Sequence, residues 1–157
     1  MAYGGENTFY SSIEISASGL SAERLSLDVI ANNIANVNTT RTANGGGPFK
    51  RQLIVFAQKE DTQAKQQAEL AGVNSGQVGN LNGVKAVQIL DDPSPDRLVY
   101  DPGNPDADTQ GYVHYPNIEI IKEMVDMMTA QRAYEANVSA IKEARAMGNS
   151  VLNILKA

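Results

Sequence analysis

The 157-residue sequence has no cysteine and a single histidine, His114. The missing thiols exclude disulfides and thiolate chemistry, a composition that fits life outside the cytoplasm without requiring it. No apolar run approaches the roughly 20 residues that a membrane-spanning helix needs. The opening MAYGGENTFYSS has neither a basic start nor an apolar core, and the first arginine is Arg24. It therefore does not read as a Sec-type signal peptide. Thirteen Lys and Arg against eighteen Asp and Glu give a net charge of −5, which points to neither nucleic acid nor an anionic membrane. By length the chain is one domain, or a domain with an excursion.

Catalytic constellations are equally scarce. His114 lies in the strand-like run YVHY and reads as a packed or surface histidine before a base or ligand. Asp106-x-Asp108-x-Gln110-Gly111 starts like a calcium loop, but its twelfth position is Asn117, which cannot give the bidentate carboxylate such a loop requires. Asp101-Pro102-Gly103-Asn104-Pro105 reads instead as consecutive turns. The glycines at 45–47 follow no strand and precede no Lys-Ser/Thr, so a phosphate loop is unsupported. Lys50-Arg51 is too small a basic patch for nucleic acid. Met124, Met127 and Met128 read as adaptable packing. The sequence predicts no enzyme, no metal and no cofactor.

Three segments organise the chain. Residues 1–42 read as an N-terminal helix, 43–116 as a small β and loop excursion, and 117–157 as a long C-terminal helix. Ser11-Ser12-Ile13-Glu14 has capping-box spacing, with Tyr10 and Ile15 at the staple positions. The middle holds the β-like runs LIVFA at 53–57, VKAVQIL at 84–90, RLVY at 97–100 and YVHY at 112–115, whose edges are suited to pair with other chains. A Gln- and Gly-rich stretch, 59–83, reads as an extended loop. Asn117, behind Pro116, is a good N-cap, and a helix over 118–155 would be about 57 Å long. The expected fold is mostly α with a small β insertion: antiparallel N- and C-terminal coiled-coil helices flanking a short β-rich middle.

The helices carry more apolar surface than a simple pair needs. Positions 120, 124, 127, 131, 134, 138, 141, 145, 148, 152 and 155 alternate steps of four and three, and eight of the eleven are apolar, a coiled-coil seam. A second seam follows Ala133, Asn137, Ala140, Ala144, Met147, Val151 and Ile154. The N-terminal helix has one stripe through Ile13, Leu20, Leu27, Ile30, Ile34 and Val37. Another runs through Ile15, Ala22, Leu25, Val29, Asn32 and Asn36. A pair inside one subunit satisfies one stripe on each helix; the second pair of stripes needs other molecules. Candidate assembly residues are therefore Leu25, Val29, Asn32, Asn33, Asn36, Met124, Met127, Tyr134, Asn137, Val138, Ile141, Val151, Leu152, Ile154 and Leu155. The asparagines of VIANNIANVNTT, 29–40, have two readings. They are a register device in an intermolecular seam, or a solvated face at a fraying helix end.

Two long motifs carry a family resemblance. GLSAERLSLDVIANNIANVNTTRT resembles the N-terminal signature of the flagellar axial proteins, and GYVHYPNIEIIKEMVDMMTAQRAYEANVSAIK their C-terminal signature. The short middle, with SPDRLVYDPGNPDADTQGYVHYPN, is similar to that of the proximal-rod type; the 59–83 loop is long for it. The resemblance implies a non-enzymatic subunit of the periplasmic rod of the flagellar basal body. It would polymerise through paired terminal helices into a hollow drive shaft that transmits motor torque. Export unfolded through the flagellar type III apparatus, without a cleaved signal, is implied as well. The implied partners are proximal and distal rod proteins, the adaptor between rod and membrane ring, and the export apparatus. Two rival classes are a soluble coiled-coil adaptor or export chaperone, and a calcium-dependent surface protein.

Overall fold

The computed structural model describes residues 5–43, 46–59 and 82–156, with side chains from 11 to 154 of these. Most of the expected 59–83 loop and the side chains of the staple residue Tyr10 and of Leu155 lie outside what is described. Helix α1 spans Gly5–Ala35, followed by strands β1 (Gln52–Gln58), β2 (Val84–Asp91), β3 (Arg97–Tyr100) and β4 (Tyr112–Tyr115), and by helix α2 (Ile120–Lys156). The strands form two two-stranded sheets, β1–β2 and β3–β4. The chain is thus mostly helical, with two terminal helices flanking a small β-rich middle. Among the described residues, no helix is long and apolar enough to cross a membrane.

Both helix starts differ from the sequence expectation. Helix α1 begins at Gly5 and runs through Ser11, so the capping-box spacing falls inside the helix. Serines are absorbed there by bonding back to the preceding turn, as Ser18 Oγ does to Ile15 O at 2.6 Å and Ser21 Oγ to Ala17 O at 3.1 Å. Helix α2 begins at Ile120, and its early amide of Glu123 donates to Glu119 O at 3.0 Å. Asn117 therefore does not cap it. Its Nδ2 turns to Ser94 O at 3.5 Å, and its Oδ1 has no partner among the described residues.

The asparagines explain how α1 ends. The last turn has no basic residue to meet its unpaired carbonyls. Asn36 does this instead: its backbone N–H reaches both Asn32 O and Asn33 O, at 3.1 and 3.2 Å, and its Nδ2 donates to Asn32 O at 2.9 Å. Thr39 Oγ1 then donates to Asn36 Oδ1 at 3.1 Å.

Two compact units divide the chain, and each draws on both helices and on the β1–β2 hairpin. In the unit built from Met1–Glu23, Phe56–Ala86 and Ala133–Ala157, α1 and α2 meet through small residues. Ala22 and Ala144 are buried, and a Cβ added to Gly19 would come within 2.9 Å of Asn137 Nδ2. The hairpin approaches α1 at Gly83. There φ is +77°, and an added Cβ would overlap the Ser18 hydroxyl. Ser18 Oγ accepts from the Val84 N–H at 3.0 Å.

The unit built from Arg24–Val55 and Val87–Arg132 has its apolar centre at Val29, Ile30, Val113, Ile118 and Ala130, all buried. β3 and β4 pair antiparallel, Arg97 opposite Tyr115 and Val99 opposite Val113. On that face Val113 is buried and Tyr115 half-buried while Val99 stays partly exposed, and Arg97 lies 5.3 Å from the Tyr115 ring centre. The opposite face shows Leu98, Tyr100 and Tyr112 to solvent. The β3–β4 connection is a series of turns, with Asn104 N donating to Asp101 O and Ala107 N to Asn104 O. Asp108 Oδ1 closes it, accepting from the N–H groups of Gln110 and Tyr112 at 2.8 and 2.9 Å.

Covered positions on the helices trace a heptad of their own, with Ile30 also buried beside it on α1. On α2 they are Glu123, Met127, Ala130, Tyr134, Asn137, Ile141, Ala144 and Gly148; on α1 they are Ile15, Gly19, Ala22, Ser26, Val29 and Asn33. Both series alternate steps of four and three. The inner seam of α2 thus takes alternate members of the two seams read from hydrophobicity. The contact sides mix small and polar residues with Ile15, Val29, Met127, Tyr134 and Ile141, and the closest approach falls at small residues such as Gly19, Ala22 and Ala144.

Two outcomes test these local arguments. Gly83→Ala is expected to cost at least about 1 kcal/mol, from the positive φ and the lost approach to Ser18, as read by thermal unfolding. The backbone bond from Tyr112, the largest cause, holds the Asp108 carboxyl below its ordinary value. A depressed folded-state pKa stabilises above the unfolded value of about 3.9 and loses that contribution as pH falls through the folded value. The β3–β4 turn is therefore expected to loosen in acid, below about pH 4, and Asp108→Asn to remove that pH dependence, with the Tyr112 amide resonance as the probe.

Candidate assembly interface

The most enclosed polar groups of the described chain are Asn33 and Glu123, each 1% exposed. A carboxylate so placed must be paired and hydrogen-bonded. Glu123 Oε1 accepts from Arg51 Nε at 2.6 Å and Oε2 from Asn33 Nδ2 at 3.1 Å. Arg51 also faces Asp126 at 3.5 Å and Asp92 at 3.6 Å. Burial alone would lower the Arg51 pKa, but the bond and charge of Glu123, with those of Asp92, more than offset this and raise it. Asp92 is itself held below the ordinary carboxylate range, first by its hydrogen bonds from Ser94. The Asn33 amide also holds strand β1: Nδ2 donates to Gln52 O and Oδ1 accepts from the Gln52 N–H, both at 2.9 Å. One hub therefore ties α1, β1 and the start of α2.

The candidate residues fall into distinct environments. Val29 and Asn33 are buried within the subunit, and Leu25, Met127, Tyr134, Asn137, Val138 and Ile141 are half-buried. Asn32 is exposed and donates to Gln52 Oε1 at 3.0 Å, while Asn36 caps its own helix. The amides of Asn32 and Asn36 thus have partners inside the chain. Met124, Val151, Leu152 and Ile154 are exposed, Ile154 at 75%.

Of the exposed apolar residues, Ile121, Val125 and Met128 belong to neither seam read from the sequence, whereas Met124, Met147, Val151 and Ile154 do. On α2, Ile121 is 80% exposed and Met124, Val125 and Met128 about half exposed; their spacing of three and four puts them on one helix face. Met147, Val151 and Ile154 repeat the spacing near the C-terminus, all exposed. The apolar residues at 121, 125 and 128 carry the helical period but fall outside both seams read from the sequence. Arg51 and Glu123 gave no such signal, since a Lys-Arg pair before a strand and an acidic residue on a helix look ordinary.

The two aspartates of the calcium-like stretch are engaged otherwise. Asp106 accepts from Thr40 Oγ1 at 2.7 Å and from Arg41 at 2.5 Å, and Asp108 Oδ1 serves the turn. His114 is half exposed, with Nδ1 at 3.7 Å from Asp96.

The hub predicts a sharp mutational contrast. Glu123→Ala leaves Arg51 without its closest partner and is expected to cost about 3–5 kcal/mol in urea unfolding. Asn32→Ala, at the exposed amide beside it, is expected to cost less than about 1 kcal/mol. Equal losses at both sites would remove the hub from its central place.

Comparison with known proteins agrees at both ends of the chain. The family model for the flagella basal body rod protein matches residues 13–41, and that for the flagellar basal body rod FlgEFG protein C-terminal region matches 109–154. The flagellar basal-body rod protein FlgC of Borreliella burgdorferi is 43% identical over 151 residues, 94% of this chain and 97% of the relative. FlgC of Bacillus subtilis is 40% identical over 153 residues, covering 95% and 99%. FlgC of Aquifex aeolicus is 39% identical over 131 residues, covering 83% and 85%. With helix-forming signatures at both ends and similarity along nearly the whole length, the chain belongs to the FlgC family of flagellar basal-body rod proteins.

Proposed function

We propose that the protein is a non-enzymatic structural subunit of the flagellar proximal rod, polymerising with other rod proteins into the hollow shaft that transmits torque. The observation that carries this reading is the outward stripe Ile121, Met124, Val125 and Met128 on a helix whose inner seam is already occupied. Large apolar side chains left in water at helical spacing mark a surface made for another helix. Residues 1–42 and 117–157 supply the assembly core, and 43–116 sets the position of the subunit in the rod. Of the candidates, Met124, Val151, Leu152 and Ile154 meet neighbours; Val29, Asn33, Met127, Tyr134, Asn137 and Ile141 shape the subunit that presents them. The finer partners in this reading are the distal rod proteins, the adaptor to the membrane ring, and the type III export apparatus that delivers the chain. An adaptor or export-chaperone role finds no support in the relatives, all named as rod proteins.

A double charge insertion tests the reading. Ile121→Glu/Met128→Glu alters exposed side chains, so stability of the isolated subunit is expected to stay within about 0.5 kcal/mol per site. The variant should nevertheless be missing from purified basal bodies, and cells carrying it should not swim. Normal incorporation and motility would exclude this face from assembly.

A further inference from the structure

We propose that Asn33 is an edge cap: its amide closes strand β1 to further strands and keeps self-association of the subunit off its hairpin. The inference goes beyond the rod reading and is tested on the isolated protein.

The hairpin has the composition of a hazardous strand pair. Residues 53–57, LIVFA, carry no charge, and Val55, Phe56, Val87, Ile89 and Leu90 are all exposed. An apolar strand with open N–H and C=O groups on its edge is a template for another chain. The direction of those groups follows from the ladder. The Arg51 carbonyl accepts from the Asp92 N–H at 2.7 Å and so faces the β2 side. In an antiparallel pair the next residue turns its N–H and C=O the other way. The Gln52 groups thus begin the outward edge of β1, at the N-terminal end where an added strand would pair.

Asn33 occupies both. The Gln52 N–H donates to Oδ1 and Gln52 O accepts from Nδ2, each at 2.9 Å. A primary amide offers the donor and acceptor of a peptide group side by side, so one side chain takes the place of a strand at this position. Aspartate would lack the donor, and an apolar residue both groups. The third bond, from Nδ2 to Glu123 Oε2 at 3.1 Å, holds the amide in this orientation. The other strand is treated alike. Gly83 O accepts from Lys59 N–H, so the Val84 N–H faces away from β1, and there it donates to Ser18 Oγ at 3.0 Å. Both caps are side chains of α1.

Loss of stability alone also promotes aggregation, so the control must remove burial without touching the edge. Val29 lies one turn before Asn33 on the same seam and is buried. Asn33→Ala and Val29→Ala are compared in urea concentrations chosen to give equal folded fractions, by sedimentation, amyloid-dye fluorescence and amide exchange. Asn33→Ala is expected to lose protection at the Gln52 amide in the dilute monomer. It should then associate several-fold faster than Val29→Ala, with a β signature and with residues 52–58 protected in the product. Adding Gln52→Pro, which deletes the edge donor, should slow that association. Should Asn33→Ala not fold, Asn33→Ser carries the same comparison. Equal association of the Asn33 and Val29 variants, or association without protection of 52–58, overturns the proposal.

Discussion

Burying a carboxylate costs several kcal/mol unless its charge and lone pairs are met, and Glu123 imposes that condition on the residues around it. Arg51 must reach it from the start of β1 and Asn33 from α1, so the entry of the hairpin is fixed to the helices by chemistry more directional than apolar contact. Because the Asn33 amide is shared between Glu123 and Gln52, its loss would take both bonds from the strand edge and one of two from the carboxylate. Truncating any member strips a buried neighbour of a hydrogen bond, and a partly satisfied network is costly.

How much of this could be read from the residues differs by level. The strands at 97–100 and 112–115 follow from alternation bounded by turn residues, and the turns from Asp101, Gly103 and Asn104. Both terminal helices follow from their period. Their starts do not: Ser11 has the spacing of a cap but lies within α1, and Asn117 has the right chemistry but serves Ser94. Capping signals are local, and tertiary contacts decide whether they are used. The hub was invisible for another reason. Arg51 and Glu123 lie 72 positions apart, and nothing in either neighbourhood marks one as the partner of the other.

The assignment of seams went astray for a physical reason. Hydrophobicity ranks Met124, Leu152 and Ile154 above Ala130, Ala144 and Gly148, yet the latter lie on the covered side and the former in solvent. Close helix packing favours small residues, whereas large side chains gain most where they have a partner still to meet. Three of the seven fully covered apolar residues described are alanines. With Ile121, Met124, Val151, Leu152 and Ile154 left in solvent, much of the apolar bulk has no partner within the fold, the pattern a subunit of a larger assembly needs. The asparagines of residues 29–40 fit the same economy: Asn36 ends the helix, Asn32 steadies Gln52, and Asn33 holds the hub.

Two routes of self-association then compete in this molecule, and their magnitudes differ. Each outward side chain of α2 gains about 1.5–3 kcal/mol if fully enclosed, so four on one face outweigh a few strand-edge hydrogen bonds at about 0.5–1.5 kcal/mol net apiece. The helical route is therefore favoured once a correct partner is present. In a free subunit with no partner, the same comparison does not protect it, because strand pairing is available to any identical copy. An intruding strand at Gln52 must first displace an amide engaged in three hydrogen bonds, one of them to a buried carboxylate, so it gains nothing at the first step. On the proposed reading, closing this route leaves the assembled state unaffected, since the cap lies apart from the outward residues Ile121, Met124, Val125 and Met128.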